Sequence, residues 1–325
     1  MTASFPVVPA EVPVAEVGPG EQVGRGGAST VFALAGERKS LLYKKYDELR
    51  GRVALDHLVH VHTELDVEQA AYARERLAWP VAVVLSGGRA VGTLVVRAGA
   101  EFHFALPTGR TRVRDLNHLL YEKRSERLGV VRATDRQKVE LLRELVAVLS
   151  WLDVRGLVHE DLAAHNVLWS LDPPAVFVLD CDSVRAVAVP SDQPLYTTVD
   201  WTDPRVLATP GSRPDRASTS YLLGLLSARV LVSPYWHPGD PLPGDRVPAA
   251  LVPLVAGACG PVGDRPSLAE WSRAVGRALP QTVNEVVEPE PVADPRAGGT
   301  GDRVAFLVGL LVGMCVAVYV LVGFL

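Results

Sequence analysis

Between residues 20 and 97 apolar and polar positions alternate in short runs broken by turn residues, the pattern of half-buried strands. "STVFAL" (29–34) and "SLLYKKY" (40–46) read as strands on either side of an "AGERK" turn. "VAVVLSGGRAVGTLVVR" (81–97) reads as a hairpin turning at Gly87-Gly88. Between them, residues 52–76 carry Leu55, Leu58, Val59 and Val61 at helical spacing. From residue 134 the period changes. Thr134 and Gln137 have capping-box spacing, and Leu141, Leu142, Leu145, Val146, Leu149 and Leu152 mark one apolar helix face. Short apolar runs at 156–159, 166–169 and 175–180 are candidate strands among the helices. The pattern predicts an α+β chain, strand-rich first and helix-rich afterwards.

The two ends differ from this middle. Residues 1–19 are interrupted by prolines and glutamates and no basic residue precedes Arg25, so they read as a flexible lead-in rather than a secretory signal. Residues 281–302 are rich in Pro, Glu and Gly with little to bury, which predicts a disordered linker. Residues 304–325, "VAFLVGLLVGMCVAVYVLVGFL", contain no charge, proline or amide side chain. As a helix they would cover roughly 33 Å, the thickness of a hydrocarbon core, so a single C-terminal transmembrane helix is expected. The expected location is the cell membrane with the folded part cytoplasmic. Arg296 and Arg303 flank the span but Asp294 and Asp302 accompany them, so the positive-inside signal adds little. Gly309 and Gly313 have the spacing that lets two such helices approach, a route to a weak homodimer.

Composition narrows the classes. The chain has 325 residues, 48% of them apolar, enough for a two-lobed core. A net charge of −4 and the lack of any dense Lys/Arg run give no reason to expect a nucleic-acid partner. Cys181, Cys259 and Cys315 lie far apart, which argues against a disulfide framework or zinc knuckle and fits a reducing cytosol. His57, His60 and His62 crowd one stretch, but no more than two can share a helix face, so they read as packing or surface residues.

Four places carry chemistry. "VGRGGASTVF" (23–32) sets Gly24, Gly26 and Gly27 between strand ends, where the missing Cβ lets backbone N–H groups approach a phosphate chain. Lys44, inward with Leu42 on the following strand, would neutralise the same phosphates. "HEDLAAHN" (159–166) offers Asp161 and Asn166 on one loop, and "VFVLDCDS" delivers Asp180 at the end of an apolar strand. One carboxylate to accept a hydroxyl proton, and oxygen ligands for Mg²⁺ on the phosphates, are the needs of phosphoryl transfer.

In this order the pieces resemble the protein kinase superfamily, in the manner of a divergent bacterial Ser/Thr protein kinase. "GRGGAST-V" resembles its glycine-rich loop, "LLYK" the strand with the ATP-binding lysine, and "HEDLAAHN" its H-x-D-x-x-x-x-N loop. "LDCD" stands in the D-F-G place and "TDPRV" in the A-P-E place. Asp215 in "PDRAST" resembles the buried aspartate opening the central helix, and Arg265 the closing arginine. The resemblance covers residues 20–280. It implies a bilobal kinase-like fold, with a small β-rich lobe at about 20–97, a hinge near Arg97–Glu101 and a helical lobe at about 102–280. It further implies an ATP-dependent protein kinase. Asp161 would be the catalytic base, Lys44 would bind the phosphates, Gly24, Gly26 and Gly27 would line them, and Asn166 and Asp180 would hold Mg²⁺. Glu68, or alternatively Glu64, would pair with Lys44. The implied partners are ATP and a protein substrate at the membrane surface.

Several positions depart from the family. Glu160 replaces an arginine that commonly receives an activation-segment phosphate, and a carboxylate there would repel one. Ala163 leaves no lysine beside the base. Arg205 replaces the acid that would pair with Arg265, putting two cations together unless Asp203 or Asp264 intervenes. "DCD" lacks the D-F-G glycine, and Asp182 is similar to a feature of small-molecule kinases. Three readings therefore stand: an active protein kinase, a catalytically weak pseudokinase scaffold at the membrane, and a small-molecule kinase of the aminoglycoside or choline type.

Overall fold

The alternating runs of the first hundred residues build one six-stranded sheet. Its strands are β1 (Glu11–Pro13), β2 (Gln22–Arg25), β3 (Ser29–Ala33), β4 (Leu41–Arg50), β5 (Pro80–Ser86) and β6 (Arg89–Val96), in the spatial order β1-β5-β6-β4-β3-β2. Neighbours are antiparallel except β1 and β5. The structure, a computed structural model, describes residues 5–198 and 200–282, and these belong to one unit of the chain. The β5–β6 hairpin turns at Gly87 and Gly88 as the sequence predicts, both with positive φ (55° and 77°), the hand that matches the twist of a two-residue turn.

β1 corrects the expectation of a flexible lead-in. Residues 11–13 pair in parallel with Val83–Leu85, and Val12 and Val17 are buried. Without β1, β5 would present an open edge, and covering such an edge satisfies its backbone groups. The helical stretch at 52–76 is two helices, α1 (Val53–Thr63) and α2 (Val67–Arg76). They are separated where the Asp66 carboxylate accepts the Gln69 N–H at 2.8 Å and starts a new N-terminus.

A short hairpin of β7 (His103–Ala105) and β8 (Thr111–Val113) and two small helices, α3 (Asn117–Leu120) and α4 (Glu122–Glu126), lead into the helical part. α5 (Asp135–Asp153) opens on the predicted capping box of Thr134 and Gln137. All six of its predicted apolar-face residues are buried. Then follow β9 (Leu157–His159), β10 (Val167–Leu171), β11 (Pro174–Val178) and β12 (Val184–Ala186), with β10 paired to β11 and β9 to β12. The remaining helices are α6 (Pro204–Ala208), α7 (Arg216–Leu231), α8 (Val252–Ala258) and α9 (Leu268–Ala278). Every residue of α7 from Ser218 to Leu231 is buried, the signature of a helix enclosed on all sides. α7 packs against α5 and α8.

The result is the mixed α+β architecture the pattern predicts, β-rich first and helical later. One apolar cluster runs from Val12 to Ala278 and includes Trp79, Trp169 and Trp271. A smaller one, Tyr46, Leu55, Val59, Val83 and Ala90, joins α1 to the sheet. Alternate residues of a strand face opposite ways, so Lys44 lies on the same side as Tyr46, toward α1. Among the described residues no helix is long and apolar enough to cross a membrane. The segment 304–325, and the linker beyond residue 282, lie outside the described residues.

Leu145 sits at the centre of α5 and is 1% exposed. Leu145→Ala should destabilise the fold by about 2–5 kcal/mol. Val154→Ala, at a site 77% exposed, should change it by less than about 0.5 kcal/mol. Urea unfolding of the two variants checks the contrast.

Candidate active site

The loop between β9 and β10 is organised by its histidine. His159 Nε2 donates to the Leu179 carbonyl at 2.9 Å, and its Nδ1 accepts the Asp161 N–H at 3.3 Å. One neutral tautomer serves both bonds. Asn166 Nδ2 donates to the Asp161 carbonyl at 2.7 Å and, more weakly, to its carboxylate Oδ2 at 3.4 Å. Its own carbonyl accepts the Leu179 N–H at 2.8 Å. Leu179 therefore straps the Asp161–Asn166 loop to the residue before Asp180. Asp180 itself has φ 54° and ψ 36°, a left-handed conformation that an aspartate tolerates better than most side chains.

Lys44 meets this turn from the sheet. Its ammonium lies 3.1 Å from Asp180 Oδ1 and 2.6 Å from Asp182 Oδ1. Asp182 is fully enclosed. Its second oxygen accepts the Tyr46 hydroxyl at 2.9 Å and faces the Arg50 guanidinium at 3.6 Å. Burial alone pulls the Lys44 ammonium down, but Asp182 and Asp180 outweigh it and hold it above its ordinary value. Burial pushes Asp182 up, and Lys44 and Arg50, with hydrogen bonds from Lys44 and Tyr46, bring it below the usual carboxylate range. Glu68 is exposed on the first turn of α2 and Glu64 is exposed at the end of α1. Neither pairs with Lys44. Lys45 is exposed.

The structure thus brings Lys44, Asp180, Asn166 and Asp161 together and leaves Glu68 outside. Asp180, 45% exposed at its side chain, and Asn166, whose Oδ1 takes no hydrogen bond among the described residues, offer the oxygens a hard cation such as Mg²⁺ requires. The glycine-rich turn joins β2 to β3. A Cβ at Gly27 would meet nothing within 4 Å, and at Gly24 or Gly26 only ordinary contacts of 3.6 Å or more. The chain's own packing does not demand glycine there. Matched against models of protein families and against curated proteins, the chain finds no counterpart. The functional reading therefore rests on this arrangement and on the motifs.

Around the site, carboxylates hold the segment between β12 and α7. Glu160, buried, accepts Arg185 Nε at 2.5 Å through Oε1 and Arg213 Nη1 through Oε2. Arg185 Nη2 also donates to the Pro214 carbonyl at 2.9 Å. The position expected to repel a phosphate is occupied in the opposite sense, by the segment's own arginines. Farther along, the Asp192 carboxylate accepts Val53 N–H at 2.8 Å and Ala54 N–H at 3.2 Å, at the start of α1. A Cβ on Gly51 would lie 2.2 Å from Asp192 Oδ2, so only glycine permits that approach. Thr198 donates its hydroxyl to Asp161 Oδ1 at 2.7 Å.

The two cations of concern, Arg205 and Arg265, are separated by carboxylates. Arg265 donates to both oxygens of Asp203, at 2.6 and 3.2 Å, and Ser218 Oγ donates to the same carboxylate at 3.0 Å. Arg205 grips Asp215 at 2.6 and 3.0 Å. Asp215 caps α7 through the Ser218 N–H at 2.9 Å, but its side chain is 43% exposed. The expectation of a buried aspartate there is corrected: the carboxylate pairs at the surface with Arg205, whose side chain is itself 34% exposed. Thr198, Arg185, Arg213 and the Lys44–Asp182 pair went unread in the sequence. Only the doubled acid of "DCD" hinted at any of them.

Two outcomes follow. Glu160→Gln removes the charge that both arginines share, a loss of about 3–5 kcal/mol for a broken buried pair. Limited proteolysis should then cut within residues 186–212 faster than in the wild type. Burial pushes Asp203 up, but hydrogen bonds from Arg265, the Arg205 N–H and Ser218, and the Arg265 charge, bring it below its ordinary value. A depressed folded-state pKa stabilises fully above the unfolded value of about 3.9 and is lost as pH falls through the folded value. Asp203→Asn should therefore lower the urea midpoint at neutral pH, and its difference from wild type should shrink below roughly pH 4.

Proposed function

We propose that the chain is an ATP-dependent protein kinase acting on Ser/Thr of a protein substrate. The observation that carries this reading is the meeting of Lys44, Asp180, Asn166 and Asp161 on a strand, a turn and a loop far apart in sequence. Lys44 would neutralise the α/β phosphates while the bare turn at Gly24, Gly26 and Gly27 covers them. Asn166 and Asp180 would hold Mg²⁺, which supplies charge neutralisation on the phosphates. Asp161 orients the acceptor hydroxyl and takes its proton as the oxygen attacks the γ-phosphorus and the bond to ADP breaks. Thr198, bonded to the same carboxylate, fixes its rotamer.

The other two readings lose ground on particular residues. Asp182 favoured a small-molecule kinase through its place two residues after Asp180, and its side chain is enclosed and already shared by Lys44, Tyr46 and Arg50. The pseudokinase reading drew on Glu160, Arg205 and the altered D-F-G; Glu160 and Arg205 have partners that leave Asp161 and Asn166 in place, and the altered turn still presents Asp180 to Lys44. We further propose that residues 304–325 tether the kinase to a membrane, so that substrates on that surface meet it at raised effective concentration.

Incubated with Mg²⁺ and γ-labelled ATP, the full-length chain should label a generic protein acceptor or itself at Ser/Thr. Asp161→Asn and Asp180→Ala should each abolish labelling. Label on small hydroxyl compounds alone, or none in the wild type, would refute the proposal. Deleting residues 304–325 should move the protein from the membrane to the soluble fraction, and continued membrane association would rule out the tether.

A further inference from the structure

Lys44 is a cation with a side chain only 7% exposed, and such a charge persists in a protein interior only beside an opposite one. The two glutamates expected beside it, Glu64 and Glu68, are exposed and neither pairs with it. The partners it does have come from one three-residue turn, Asp180-Cys181-Asp182. Of these, Asp180 is half open to solvent, whereas Asp182 is fully enclosed and makes the shorter contact.

The surroundings of Asp182 leave its carboxylate no freedom. Oδ1 accepts Lys44 Nζ at 2.6 Å, and Oδ2 accepts the Tyr46 hydroxyl at 2.9 Å with Arg50 Nη1 at 3.6 Å. The Tyr46 hydroxyl is also 3.2 Å from Thr93 Oγ1 on β6. Arg50 lies over the Tyr46 ring at 4.1 Å and the Tyr196 ring at 5.0 Å. Lys44, Tyr46 and Arg50 all belong to β4, so one strand supplies every side chain that holds this carboxylate. Two cations facing Asp182 and Asp180 also balance in charge.

We propose that Asp182 is the positioning residue for Lys44, and that it replaces a helix glutamate in that role. The inference rests on the reading that Lys44 serves a nucleotide phosphate. Its consequence is that the lysine is aligned by the same turn that carries Asp180. Displacing α1 or α2 leaves the pair intact, whereas displacing the 180–182 turn removes Lys44 alignment and Asp180 together. Among the described residues no helix carboxylate pairs with the lysine, so its alignment does not depend on where α1 or α2 stands.

The test measures binding of ATP and of adenosine, each with Mg²⁺, to the full-length protein by calorimetry. Lys44→Met should weaken ATP at least tenfold and spare adenosine. Asp182→Asn should do the same, and should add nothing in the Lys44→Met background. Tyr46→Phe, a gentler change that keeps the ring beneath Arg50, should weaken ATP severalfold in the same selective way and serves if Asp182→Asn does not fold. The proposal is overturned if Asp182→Asn and Tyr46→Phe leave ATP affinity within twofold of wild type while Lys44→Met does not, a result that spares the nucleotide reading. It is equally overturned if ATP and adenosine weaken together, which marks a purely structural role, or if Glu68→Gln or Glu64→Gln reproduces Lys44→Met. Failure of the wild type to bind ATP at all would remove the kinase reading and this inference with it.

Discussion

Two cations of one strand, Lys44 and Arg50, share a single enclosed carboxylate, Asp182. Charges without water are stable only where geometry satisfies every oxygen and proton, and here the carboxylate has a partner on each oxygen. Most of the site's order follows from that constraint. β4 is fixed against the 180–182 turn, the turn is strapped through Leu179 to the Asp161–Asn166 loop, and His159 closes the circuit from below. Asp180 is left as the open acid in the group, with its side chain 45% exposed, which is the property a metal ligand needs.

The segment leading to α7 is governed by the same kind of interaction at a second level. Glu160 with Arg185 and Arg213, Asp203 with Arg265, and Asp215 with Arg205 are all carboxylate–guanidinium contacts. Guanidinium is suited to this work because its planar fork meets both oxygens of a carboxylate and keeps its charge at any accessible pH. Glu160 supplies the acid from the β9–β10 loop, and its arginines come from β12 and from the stretch before α7, so the pair is complete within the chain.

What the sequence revealed divides along a physical line. The Gly87-Gly88 hairpin, the capping box at Thr134 and the apolar face of α5 are local signals, written within a few residues and not easily overridden. Asp161, Asn166, Asp180 and Lys44 also lie near one another in space, because motif spacing fixes which loop carries each group. The pairing of Lys44 was not legible. Which acid meets a buried cation is decided by the approach of segments 138 residues apart, and Glu68 looked equally suitable in one dimension. β1 was missed for a similar reason: three residues beside prolines carry almost no strand signal, and only the open edge of β5 gives them a place. Asp215 was assigned to the right helix start but the wrong environment: its partner is Arg205, ten residues upstream, and the pair lies partly in solvent.

The contact between Asp192 and the first turn of α1 ties two distant parts of the chain mechanically. The carboxylate satisfies two orphan N–H groups and lies at the positive end of the helix, an interaction of about 0.3–1 kcal/mol in exposed settings and more when shielded. Lifting residues 191–196 off this corner uncaps α1. Whatever seats α1 more firmly must in turn stiffen the 191–196 stretch, because coupling between two sites is reciprocal. Gly51 is the clearance for that contact: a Cβ there would lie 2.2 Å from Asp192 Oδ2, so a side chain at this position would push the carboxylate away from the first turn of α1.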